Sequence, residues 1–110
     1  MYRFSLPRLD RGSGGDLLLV DYQVNVSLLN ATSTPGARTA FREGLIDLGA
    51  EGVVVRHNSF NGILTARFLL DGTAQPQVAG RAERLVRAAL EEAHIQAQLL
   101  MLGAARMAGA

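Results

Sequence analysis

Ile95-Gln96-Ala97-Gln98-Leu99-Leu100-Met101-Leu102 decides the fold. Its residue types favour helix; read that way, the octapeptide prolongs the helix before it and leaves a three-stranded domain. Gln96 and Gln98 alternate, however, with Ile95, Ala97, Leu99 and Met101, the period of a half-buried strand. The alternation is the stronger pattern, and it predicts a fourth strand over 95–102.

Working back along the chain, Pro76 opens a helix whose apolar stripe is Val78, Ala82, Leu85, Val86, Ala89 and Ala93. Glu83–Arg87 and Arg87–Glu91 stand at i,i+4 on its outer face. Glu91 and Glu92 oppose the dipole at its C-terminus, so no strong stop signal is visible there. Upstream, Ile63 to Leu70 places Leu64, Ala66, Phe68 and Leu70 on one side of a strand, with Thr65, Arg67 and Leu69 on the other. Asn58-Ser-Phe-Asn-Gly62 links it to a strand at Val53–His57. Before that, Thr34 caps a helix with Pro35 at its first position, Ala37, Phe41, Leu45 and Leu48 form its stripe, and Gly49 ends it. The clearest element is Leu17–Leu28, where Val20, Tyr22, Val24, Val26 and Leu28 alternate with polar residues.

The order strand, helix, strand, strand, helix, strand predicts an α+β, ferredoxin-like βαββαβ sandwich. Right-handed crossovers order its antiparallel sheet 4-1-3-2 with both helices on one face. Residues 1–15, ending in Arg11-Gly-Ser-Gly-Gly15, read as a flexible N-terminal arm, 16–103 as one domain and 104–110 as a frayed tail.

This layout resembles the ACT type of ferredoxin-like domain, a family of small-ligand-sensing regulatory modules that usually pair. The similarity rests on Thr34-Pro35-Gly36 after strand one, Gly49-Ala-Glu-Gly52 before strand two and Asn61-Gly62 before strand three. Where such domains often carry an acidic residue before the Pro-Gly pair, Ser33-Thr34 stands here. The resemblance implies a regulatory role and a small ligand.

Composition narrows the function classes. A chain of 110 residues holds one core, and the absence of cysteine excludes disulfides and thiolate chemistry. A net charge of +1 and no aromatic platform on the outward strand residues argue against nucleic acid. With no leader-like apolar run near the start and no membrane-length apolar stretch, the expectation is a cytoplasmic protein without a membrane partner. All 11 basic residues are arginine, which a GC-rich coding bias explains better than carboxylate or phosphate recognition does. No P-loop, dinucleotide fingerprint or metal-ligand spacing occurs, so neither a cofactor nor a metal is expected, and no acid–base pair marks a catalytic residue. His57 and His94 read as ordinary surface or hydrogen-bonded histidines.

Two candidate sites follow from the topology. Ser33, Thr34, Arg56, His57 and Asn58 fall at one end of the sheet, beside the first helix N-terminus, where a carboxylate or phosphate would be held. Leu17, Leu19, Leu69, Leu100 and Leu102 are expected to form a leucine patch on the face no helix covers. Two covers are available to it, the N-terminal arm with Tyr2, Phe4, Leu6 and Leu9 or the same face of a second copy, and the expectation is a homodimer. The reading is a non-catalytic regulatory or protein-interaction module, with a small anionic metabolite or another protein as further partners. The alternative is a small cofactor-independent enzyme of the dimeric α+β barrel type.

Overall fold

A computed structural model describes residues 19–29 and 34–107 of the chain. The N-terminal arm, Leu17, Ser33 and residues 108–110 lie outside the described residues. The elements are β1 (Val20–Leu29), α1 (Pro35–Asp47), β2 (Glu51–Asn58), β3 (Ile63–Gly72), α2 (Gln75–Glu92) and β4 (Gln98–Arg106). They form one antiparallel sheet ordered β2-β3-β1-β4, the expected order read from the other edge. The domain is therefore an α+β sandwich of ferredoxin-like type.

The period-2 pattern of β1 sets the core. Tyr22, Val24, Val26 and Leu28 are buried and pair in register with Leu70, Phe68, Ala66 and Leu64 of β3. Phe41 and Leu45 of α1, with Val78, Ala82, Val86 and Ala89 of α2, complete the same cluster, so both helices lie on this face. The helices approach closely because Gly44 sits against Ala89: a Cβ on Gly44 would lie 3.3 Å from that of Ala89. Gly72 plays the matching part at the end of β3, where a Cβ would collide with Val78 Cγ2.

Both helices end the same way. After α1, the Gly49 amide donates to the Ile46 carbonyl and the Ala50 amide to that of Leu45, with Gly49 at φ 109°. This is the Schellman arrangement that the glycine predicts. After α2 the pattern recurs as His94 to Glu91 and Ile95 to Leu90, and here a histidine takes the left-handed position at φ 56°. That geometry stops the helix and turns the chain into β4. Leu48, expected on the α1 stripe, instead caps the helix and is exposed.

The fourth strand exists, but it starts three residues later than expected and runs on through Arg106, into the stretch read as a tail. Ala104 is buried opposite Val24, and Gln75 at the start of α2 donates to the Ala104 carbonyl at 3.0 Å. The β1–β4 register shifts between Ser27 and Leu28, leaving Leu100 as an extra residue between the Met101 and Leu99 pairings. Such a bulge reverses side-chain parity along the rest of the strand.

Candidate functional site

Among the described residues, no helix covers the opposite face of the sheet. Counting across strands in register, its rows run from Asp21 and Asp71, through Gln23, Leu69 and Glu51, to Asn25, Arg67 and Val54. They continue to Ser27, Thr65, Arg56 and Met101, and end at Leu29, Ile63, Asn58 and Gln98. The face is polar in the middle and differs at its two ends.

One end is acidic. Asp21 and Asp71 are direct cross-strand partners, and Glu51 pairs beside them with Leu69. Like charges directly opposite each other are destabilising. Arg81 offsets part of this from α2, its guanidinium 3.6 Å from the Asp71 carboxylate and donating at 2.9 Å to the Asp71 carbonyl.

The other end is apolar. Leu29 is directly opposite Gln98 and one diagonal step from Met101, while Ile63 lies across from Leu29 on β3. Leu29, Leu100 and Met101 are 40%, 48% and 53% exposed. This differs from the expected leucine patch in two respects. Leu102 pairs with Val26 and packs against the core, because the Leu100 bulge turns the parity of the strand over. Leu100 lies at the Ser27–Leu28 level of β1, far along the sheet from Leu69, which pairs with Gln23. Leu19, just before β1, is exposed near the acidic end. The patch is therefore built from Leu29, Ile63, Leu100 and Met101. Leu29 was findable, since it continues the outward parity of Asn25 and Ser27; the bulge had no sequence signal.

The residues expected to hold an anion are only partly brought together. Thr34 Oγ1 accepts from the Ala37 amide at 3.1 Å, so its hydroxyl serves as the α1 cap. Arg56 and Asn58 pair with Thr65 and Ile63 and share the open face, whereas His57 pairs with Leu64 on the helix side of the edge strand. All three still line one hollow of about 610 Å³ that wraps this edge and is completed by Ser59 and Asn61. The hairpin beneath is held by its own side chains: Asn58 Oδ1 accepts from the Phe60 amide and Asn61 Oδ1 from that of Ile63. Phe60, at the tip, is 100% exposed, and the sequence pattern does not single it out.

Among the described residues no group of three or more His, Asp or Glu side chains is placed to hold a metal ion, and no helix is long and apolar enough to cross a membrane. The chain matches no protein-family model, no curated protein and no solved structure.

Proposed function

We propose that this domain is a non-catalytic interaction module that associates with a second copy of itself through the open face of its sheet. The observation that carries the reading is the cluster of Leu29, Leu100 and Met101, three large apolar side chains exposed together at one end of that face. Each is worth roughly 1.5–3 kcal/mol when fully buried and is already about half covered, so a partner that covers the rest of all three gains about 2–4 kcal/mol. Single exposed leucines are common on monomers, but adjacent ones favour a contact surface.

Sedimentation at tens of micromolar tests the reading, with a monomer as the refuting result. The double variant Leu100→Ser, Met101→Ser is expected to weaken association at least about tenfold, since each truncated contact at the centre of an interface costs 1 kcal/mol or more. Its thermal midpoint as a monomer should stay close to that of the unaltered chain, because both side chains are about half exposed. Unchanged association in this variant would place the contact elsewhere.

A regulatory input at the hairpin is a second reading, supported by the hollow that Arg56 and Asn58 share. The planar guanidinium of arginine suits the paired oxygens of a carboxylate or phosphate. Inorganic phosphate should raise the melting midpoint of the unaltered chain and leave that of Arg56→Ala unchanged. Equal response of the two would remove Arg56 from the site.

A further inference from the structure

We infer that the outer edge of β2 receives an extended acidic peptide, which joins the sheet as a fifth strand and sets its carboxylates against Arg38, Arg42 and Arg56. The inference uses no part of the self-association. It deepens the hairpin reading by naming the anion as the carboxylates of a peptide strand.

The backbone comes first. Among the described residues β2 and β4 are the two edges of the sheet. Each edge presents a row of N–H and C=O groups to which an extended chain can add. β4 carries no charged residue from Gln98 to Ala105, so charge selects no partner there. β2 differs, because cationic hollows lie on both of its sides. On the helix side, Arg38 and Arg42 of α1 line a hollow of about 240 Å³ with Pro35, Thr39 and Val55. At the hairpin, Arg56 and His57 line the second hollow, and Arg67 stands opposite Val54 on the open face. Among the described residues no carboxylate lines either hollow.

Spacing and charge then choose the occupant. Arg38 and Arg42 are one turn apart, about 6 Å along the helix axis. Every second residue of a strand advances by about 6.7 Å, so successive carboxylates on one face of a peptide strand match the two guanidiniums. A second copy of β2 does not fit. A two-fold pairing of this edge with itself brings the arginines of one copy towards those of the other, and like charges across an interface cost several kcal/mol. A nucleic-acid strand satisfies the charge but not the edge, since it lacks the N–H and C=O groups that continue a β-ladder.

The probe is a short fluorescein-labelled peptide with a run of glutamates between valines, so that an extended strand carries carboxylates on both faces. Fluorescence anisotropy should show binding that the same peptide with lysines for glutamates lacks. Arg42→Ala and Arg56→Ala, both at exposed positions, should each weaken it about tenfold, with circular dichroism melts confirming the fold. Arg84→Ala, on α2 and also exposed, should leave it unchanged. N-methylation of every peptide amide keeps the charge, removes the donors of the ladder and should abolish binding. Undiminished binding of the methylated peptide would overturn strand addition, and equal losses in all three variants would overturn the site. Tighter binding of an unstructured RNA oligonucleotide would assign the edge to nucleic acid instead. No peptide binding, with phosphate still stabilising the unaltered chain but not Arg56→Ala, would end this inference and leave the hairpin reading standing.

Discussion

A chain shortened to end at Ala97 is expected to lose its cooperative fold. That chain retains everything the three-stranded alternative requires, so it isolates what β4 contributes. Without β4, the outer edge of β1 is exposed over eight register pairs, from Tyr22–Arg106 to Leu29–Gln98. The strand so uncovered is the one whose inward side chains, Tyr22, Val24, Val26 and Leu28, set the core. Lost as well are buried Ala104, half-buried Leu99 and Leu102, and the Gln75 hydrogen bond that ties the start of α2 to the sheet. At about 25 cal/mol per Å² of apolar surface, these losses reach several kcal/mol, and the newly opened sides of β1 and α2 add to them. Domains of this size have only about 5–15 kcal/mol in total. Far-UV circular dichroism under urea is the measurement: the shortened chain should show no sigmoidal transition. An unchanged midpoint would mean that β4 is not part of the folded core.

Phe41→Ala should destabilise the domain by about 3–5 kcal/mol, the usual range for emptying a buried aromatic site. Phe41 has no exposed surface, and it stands one turn from Leu45 and near the Gly44–Ala89 crossing. The two effects add in one direction. Apolar area returns to water, and the cavity left behind cannot collapse easily, because the glycine contact already holds the helices at close range. Phe41→Leu keeps much of the volume and should cost well under half as much. Urea midpoints with unchanged slopes would confirm both values. A loss below about 1 kcal/mol for the alanine variant would show that the helix is free to settle inward, contrary to the close packing at Gly44.

How far the sequence reveals this fold depends on which physical rule acts at each residue. Local rules were legible. Alternation marks β1 and β3, Thr34 and Pro35 open α1, and Gly49 closes it, because in each case one residue type carries the conformation. The end of α2 was not legible, since His94 occupies a left-handed position that normally reads as glycine. Its conformation follows from the amides of His94 and Ile95 reaching back to Glu91 and Leu90. The bulge at Leu100 escaped for a different reason. Leu99-Leu100-Met101-Leu102 is uniformly apolar, so no alternation marks which residue is extra, and a single inserted residue moves Leu102 from the open face to the core. That inversion changes the face Leu102 takes, whereas the patch moved to the other end of the sheet because β4 runs on through Arg106, which sets Met101 opposite Ser27. At the hairpin, the turn itself was readable from Asn58 to Gly62, but opposite parity of Arg56 and His57 separates two residues that sequence proximity placed together.

The central position of β1 also governs how this chain reaches its native state. Only the β2–β3 hairpin pairs strands that are adjacent in sequence; β1, first in order, must wait for β3 on one side and for β4 on the other. Its last partner, Arg106 opposite Tyr22, arrives from the far end of the described chain. Closing such long loops costs entropy before any contact rewards it, so sheet assembly is slower than in a helical bundle of equal length. Until β4 docks, β1 presents an open, strongly alternating edge, the kind of edge that pairs with other chains. The interval before that last strand arrives is thus when a nascent or refolding molecule is most exposed to aggregation.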